Sequence, residues 1–178
     1  MTDLTWEADV LWAFLVLLAA VAIVGCALLL FRLATHRARG ALFATARDVA
    51  VLTAIALILA PTLFAQYGSG LPVVRLVPFE NLYEALTGDG SVRQAAAQIV
   101  ANIGLFVPLG MSLRWHSWQL SALQAGIVGV VLSVTIELLQ GVMGGGRWVE
   151  TTDIITNTVG AMIGAGVTEK ADALRRRH

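Results

Sequence analysis

Five apolar stretches, each close to the length of a bilayer span, constrain this chain more than any other feature. The 178 residues are 57% hydrophobic and only 13% charged, with a mean hydropathy of +0.77. A soluble domain carries about 25% charged residues. In hydrocarbon every backbone amide must be bonded within the protein, and a helix does this within one segment. The sequence therefore predicts an all-α, polytopic membrane helix bundle that forms a single membrane domain over residues 1–178.

The predicted membrane helices cover about residues 10–31, 49–64, 94–113, 119–142 and 152–167. A crossing takes about 20 residues, so the second and fifth are short, and the second has room to begin a turn or two earlier. A further short helix is predicted before the third span, where Phe79, Leu82, Tyr83 and Leu86 share one apolar face. We expect this helix to lie at the outer membrane surface, either as a lid over polar residues or as a plain surface helix.

Basic residues are unevenly divided between the two ends of the predicted helices. One end carries nine of the twelve: Arg32, Arg37, Arg39, Arg47, Arg114, Lys170, Arg175, Arg176 and Arg177. The other end carries Arg75, Arg93 and Arg147. Because Lys and Arg stay on the cytoplasmic side, we expect a cell-membrane protein with its N-terminus outside and its C-terminus in the cytoplasm. Residues 1–9 lack a basic residue, so we expect the first helix to be retained rather than cleaved.

Polar side chains interrupt three of the apolar stretches, at Asn102, Glu137, Gln140, Asp153 and Asn157. A charged side chain at the centre of a membrane helix costs roughly 2.5–3.5 kcal/mol on insertion scales, so such residues indicate function. Glu137 and Gln140 are three residues apart and Asp153 and Asn157 are four apart, so each pair shares a helix face. On the predicted topology all five fall in the outer half of the membrane. We therefore expect them to meet in one outward-facing polar pocket.

A plainer explanation exists for each of these residues taken alone. A single membrane amide such as Asn102 commonly joins two helices and contributes about 1 kcal/mol. Arg147 follows three glycines in the fourth connection, and either closes that loop with a salt bridge or binds an anionic head group bidentately. Both interpretations of Arg147 stay open, whereas five polar groups at one depth favour a site.

Four further residues are predicted to shape the helices rather than to bind a ligand. Pro108 and Gly104 lie one turn apart, and a proline that lacks its N–H predicts a kink close to Asn102. Gly160 and Gly164 are four residues apart in the fifth predicted span, which favours close contact with a neighbouring helix.

A series of short motifs lies between about residues 75 and 166: Val77-Pro78-Phe79, Asn102 with Phe106-x-Pro108-x-Gly110, Glu137-x-x-Gln140, Arg147, and Asp153-x-x-x-Asn157-x-x-Gly160-x-x-x-Gly164. In this order they resemble the VanZ-like family, which is named after an accessory protein of glycopeptide (teicoplanin) resistance. The resemblance implies a bacterial multi-pass membrane protein, with a VanZ-like core over 75–166. For one branch of the family it also implies lowered susceptibility to teicoplanin.

Two functions fit the polar residues best. In the first, the pocket binds membrane lipid or a lipid-linked envelope precursor: Arg147 meets phosphate or carboxylate, and Asn102, Gln140 and Asn157 supply hydrogen bonds. Zero net charge gives no reason to expect nucleic acid as a partner. A transporter is disfavoured, because the chain shows one polar cluster and no inverted repeat.

In the second function the protein is an intramembrane enzyme acting on a lipid-linked or peptide substrate. Glu137 is then the general acid or base and Asp153 its partner carboxylate. We expect no cofactor and no metal site built on His or Cys. The carboxylates and amides of the pocket are nevertheless oxygen ligands that would suit Mg²⁺ in such an enzyme.

Overall fold

The protein is a bundle of long helices, and one short helix and two short strands lie in its connections. The computed structural model describes residues 3–35, 40–64, 73–88, 90–116, 119–143 and 148–177. The elements in chain order are α1 (Asp3–Ala34), α2 (Ala41–Phe64), β1 (Val73–Arg75), α3 (Glu80–Thr87), α4 (Val92–Trp115), α5 (Ala122–Met143), β2 (Trp148–Glu150) and α6 (Thr151–Arg175). The prediction of an all-α membrane bundle is confirmed, and the two strands were not predicted.

Four helices in the described part of the chain are long and apolar enough to cross a membrane. They are α1 over Leu11–Ala34, α2 over Ala41–Pro61, α4 over Val92–Trp115 and α5 over Ala122–Gln140. The fifth long helix, α6, has 25 residues but carries polar side chains along much of its length. It is not among these four, so the number of five spans stays a prediction.

The second predicted helix, given a start at about residue 49 or a turn or two earlier, begins at Ala41, about two turns before residue 49. Asp48, which the apolar pattern placed before the helix, is paired with a basic residue of α1. Its Oδ2 lies 2.6 Å from Arg32 Nη2, and its Oδ1 lies 2.8 Å from Nε2 of His116, just after α4. An acidic residue can thus remain inside a membrane helix because its charge is compensated by a neighbouring helix.

The core lies between α2, α4, α5 and α6, where Ile58, Phe106, Leu109, Ala125 and Ala161 are buried. In contrast, α1 packs against α2 and leaves most of its apolar side chains exposed, as expected for a helix that faces lipid. Among the described residues, the main contact of α1 with another helix is therefore the contact with α2.

The contact between α4 and α6 is made backbone to backbone. A Cβ atom on Gly160 or Gly164 would overlap the carbonyl oxygens of Ile103 and Val107 in α4. Gly110 of α4 lies equally close to the Ala161 carbonyl. Small residues at these positions let the two helices approach more closely than side chains would allow.

Gly104 does not take part in this contact. Gly104 is exposed, and a Cβ atom there would meet no other atom within 4 Å. The helix α4 runs past Pro108 without interruption to Trp115. The predicted kink at these two residues stays a prediction.

We expect Gly164→Ala to lower the thermal stability of the protein, because the new methyl group would meet backbone atoms that have no room to move. Overpacking of this kind costs about 1–3 kcal/mol. Gly104→Ala is the matched control, since it makes the same change in α4 where space is open. Thermal unfolding of both variants in one detergent checks the prediction. Equal melting temperatures for the two variants would contradict it.

Candidate functional site

A cavity of about 620 Å³ opens at the end of the bundle where α4 and α6 begin and α5 ends. Part of its wall is apolar and comes from Pro61, Leu105, Phe106 and Ile136. Its polar lining consists of Arg75, Asn81, Gln98, Asn102, Glu137, Gln140, Glu150, Asp153 and Asn157. The structure thus brings together all five polar residues that the sequence singled out within its apolar stretches.

Three helices deliver these five side chains to the cavity. Asn102 comes from α4, Glu137 and Gln140 come from α5, and Asp153 and Asn157 come from the first two turns of α6. The spacings of three and four residues place each pair on the cavity side of its helix. Glu137 is 4% exposed and Asn157 is 7% exposed, so the most deeply placed groups have little contact with solvent.

Amide groups of α4 orient the first carboxylate of α6. Asn102 Nδ2 donates to Asp153 Oδ1 over 2.6 Å, and Gln98 Nε2 donates to the same oxygen over 3.4 Å. Gln98 lies one turn before Asn102, so both reach the carboxylate from the same face of α4. Asp153 is therefore held in a fixed position by two neutral donors.

Glu137 and Asn157 are held from neighbouring elements. Glu137 Oε2 accepts a hydrogen bond of 3.3 Å from the backbone N–H of Glu150 in β2. Asn157 Nδ2 donates to Ser133 Oγ of α5 over 2.9 Å. The other polar atom of Asn157, Oδ1, is buried and has no hydrogen-bond partner among the described residues.

The cavity also contains residues that the sequence analysis missed, and a small parallel sheet positions them. β1 pairs with β2 in a register that sets Val73 against Trp148 and Arg75 against Glu150. Asn81 Nδ2 donates to both carboxylate oxygens of Glu150, each over 3.0 Å. Strands of three residues leave no periodic signal in a sequence, so no local pattern pointed to these residues.

Arg75 joins this sheet to α3. Its Nη1 donates to Asn81 Oδ1, and it also lies 3.0 Å from Glu84 Oε2 and 3.8 Å from Glu80 Oε2. In the sequence Arg75 had been counted only as one of the outer basic residues. Its place in the cavity wall follows from the strand pairing, which joins segments more than seventy residues apart.

The short helix α3 contributes Asn81 to the cavity wall, whereas part of its apolar side faces outward. Tyr83 and Leu86 are 69% and 68% exposed, whereas Ala85 is buried. The start of the helix is fixed by the Phe79 N–H, which donates to Thr152 Oγ1 over 2.8 Å. An outward apolar face suits a helix that lies against lipid, and would be unusual against water.

Comparison with known proteins places this architecture in a family. The family model described as VanZ/LLP1 matches residues 19–171. The chain belongs to the VanZ-like family. Protein VanZ of Enterococcus faecium is 32% identical over 78 residues, which cover 44% of this chain and 45% of that protein. The match therefore spans less than half of the curated relative, and no solved structure matches the chain.

Arg147, the remaining motif residue of this VanZ-like membrane protein, lies outside the described residues, as do the three glycines before it. Its role as a ligand for an anionic group stays a prediction. Within the described ranges, no three or more His, Cys, Asp or Glu side chains are grouped so that they could hold a metal ion. A Mg²⁺ ion held also by amides or a substrate stays an untested expectation.

The three carboxylates that line the cavity accept hydrogen bonds from neutral groups. Ion pairs in the described part of the chain involve Asp48, Glu80, Glu84 and Asp172. Glu137, Glu150 and Asp153 are in none of these pairs and instead accept hydrogen bonds from amide N–H groups. The described lining therefore carries more negative than positive charge.

We expect Asn81→Ala to loosen α3 from the cavity, because it removes the donor to Glu150 and the acceptor of Arg75. Hydrogen bonds to charged groups contribute about 1.5–3 kcal/mol, so amide exchange across α3 should become at least about tenfold faster. Hydrogen–deuterium exchange of the purified protein measures this. Tyr83→Ala, on the outward side of the same helix, is the control and should leave exchange in α3 within about threefold.

Proposed function

We propose that this VanZ-like protein lies in the cytoplasmic membrane and binds the polar part of a cell-envelope component in its cavity. The observation that carries the proposal is a single cavity of about 620 Å³ with nine polar side chains in its wall. Small-molecule sites in proteins typically enclose about 300–1,000 Å³ and combine an apolar wall with convergent polar groups. A lipid head group or a short part of a lipid-linked envelope precursor is of this size.

The position of the cavity supports an outward-facing site. Arg32, Arg47 and Arg114 lie near the end of the bundle opposite to the cavity. Under the positive-inside rule that end is cytoplasmic, so the cavity faces the outside and the N-terminus is also outside. The exposed apolar side of α3 would then rest in the outer leaflet, where lipids and lipid-linked precursors reach the cavity by lateral diffusion.

An effect on glycopeptide susceptibility belongs to the same proposal. The family takes its name from an accessory protein of teicoplanin resistance, and the relative from Enterococcus faecium is Protein VanZ. Binding of a surface lipid or a precursor terminus would alter the envelope that a glycopeptide meets. The protein would then lower teicoplanin susceptibility without acting on the antibiotic itself.

An intramembrane enzyme is the second candidate, and one observation favours it. Glu137 and Asp153 line the same cavity but differ in burial and in their donors, which suits divided acid and base roles. Glu137→Gln separates the two candidates because it preserves shape. A binding site should keep its occupant within a few-fold, whereas proton transfer by Glu137 would make turnover fall about 10²–10⁴-fold.

We expect Asn102→Leu and Gln140→Leu to empty the cavity of its natural occupant, because each replaces a polar wall group with an apolar one of similar size. Native mass spectrometry of protein purified in mild detergent should then show loss of the bound molecule. Teicoplanin susceptibility of the expressing cells should rise toward that of cells lacking the protein. Val100→Leu, on the exposed side of α4, is the matched control.

Retention of both occupant and teicoplanin phenotype in the two cavity variants, at wild-type expression, would refute the binding proposal. An occupant that disappears equally in Val100→Leu would show that it is detergent-exchanged lipid from the outer surface of the bundle. Either outcome would show that the cavity does not have the binding function proposed for it.

Labelling of single cysteines tests the orientation. In a Cys26→Ser background, Gln98→Cys lies at the cavity and Thr35→Cys lies at the opposite end of the bundle, and both positions are exposed. We expect a membrane-impermeant maleimide to label position 98 in intact cells and position 35 only after permeabilisation. The reverse pattern would place the cavity on the cytoplasmic side.

A further inference from the structure

The charge balance of the cavity is the feature that the proposed function leaves unexplained. Glu137, Glu150 and Asp153 all line it, and no Lys or Arg nitrogen of the described residues lies within 4.0 Å of their carboxylate oxygens. Arg75 is engaged by the carboxylates of Glu80 and Glu84 on the α3 side. The described cavity therefore carries an excess of negative charge.

Neutral donors compensate these carboxylates only in part. Asp153 accepts from the amides of Asn102 and Gln98, and Glu137 accepts from one backbone N–H. Glu150 accepts from the Asn81 amide. A buried carboxylate without a positive partner is costly even when it is hydrogen-bonded, so a cation entering the cavity would gain from each carboxylate that is ionised.

Asn157 gives a second, independent indication of the ligand. It belongs to the cavity wall and is more than nine-tenths buried, yet its Oδ1 has no partner among the described residues. Buried polar atoms of folded proteins almost always have a partner, so an unpaired acceptor beside a cavity points to a donor that occupies it. With Nδ2 bonded to Ser133 Oγ, the atom left for a ligand is the oxygen, which accepts from a donor such as an ammonium group.

We propose that the cavity binds its ligand through a primary ammonium group. This inference rests on the proposed binding function and specifies the chemistry of the ligand. An ammonium carries one positive charge, which suits the carboxylates, and three N–H donors, one of which the unpaired amide oxygen can accept. The chemistry is shared by an ethanolamine lipid head group and by a sugar that carries a free amino group, and it differs from the anionic ligand that one interpretation of Arg147 predicts.

The test compares amines with their N-acetylated counterparts, which keep the shape and lose the charge. The full chain is placed in phosphatidylglycerol nanodiscs that contain either phosphatidylethanolamine or N-acetyl-phosphatidylethanolamine. Lipid-free protein in detergent is titrated with glucosamine or N-acetylglucosamine. Bound lipid is counted by native mass spectrometry, and soluble ligands are followed by the shift in melting temperature.

We expect at least a tenfold preference for the amine in one of the two pairs, and the pair that shows it identifies the source as lipid or sugar. Asp153→Asn and Glu150→Gln, which keep the side-chain shape, should each reduce that preference at least fivefold. Val100→Leu should leave it unchanged. Two carboxylate variants are used because, if one folds poorly, the other still tests whether the preference for the amine depends on the carboxylates.

Equal binding of amine and N-acetylated compound, or stabilisation by inorganic phosphate instead, would overturn the ammonium proposal while the cavity remained a binding site. An unchanged preference in both carboxylate variants would also overturn it. Loss of the natural occupant in Asn102→Leu would still support the binding function in those cases. Absence of any occupant in the wild-type cavity would overturn both proposals.

Discussion

The direct contact between the backbones of α4 and α6 is the constraint on which the rest of the structure depends. Gly160 lies against the carbonyl of Ile103, which is the neighbour of Asn102. With the helices this close, Asn102 reaches Asp153, which lies two turns before Gly160 in α6, over 2.6 Å. A larger residue at Gly160 would push the helices apart and separate the amide from the carboxylate. Packing in the core and polar geometry in the cavity thus have one cause.

The part of this arrangement that depends on spacing within one helix could be predicted from the sequence. Spacings of three and four residues predicted that Glu137 shares a face with Gln140, and Asp153 with Asn157, and helical geometry requires no more than that. Arg75 and Glu150 were missed because they meet through a pairing of two three-residue strands that are distant in sequence. Asp48 was missed for a related reason, since its partner Arg32 belongs to another helix. Long-range pairing of short segments leaves no periodic trace in one sequence.

A surrounding bilayer would account for the apolar residues that α3 leaves exposed. Its outward residues Tyr83 and Leu86 are exposed, and in a bilayer they would gain by contact with lipid without being buried in protein. Asn81 and Glu84 both bond to Arg75, and Asn81 also lines the cavity. The position of this helix at a membrane surface stays a prediction, and Asn81 from its polar side is the α3 residue that lines the cavity.

The two ends of the bundle use similar residues for different purposes. At the far end Asp48 bonds to Arg32 and His116 over 2.6 and 2.8 Å, so that carboxylate already has basic partners within the chain. At the cavity end, within the described residues, Asp153 and Glu137 have only amide donors. A carboxylate paired with a cation of its own chain joins helices and has little left to offer a ligand. A carboxylate held in place by neutral donors keeps its charge available, and for this reason the cavity end is the better candidate for binding.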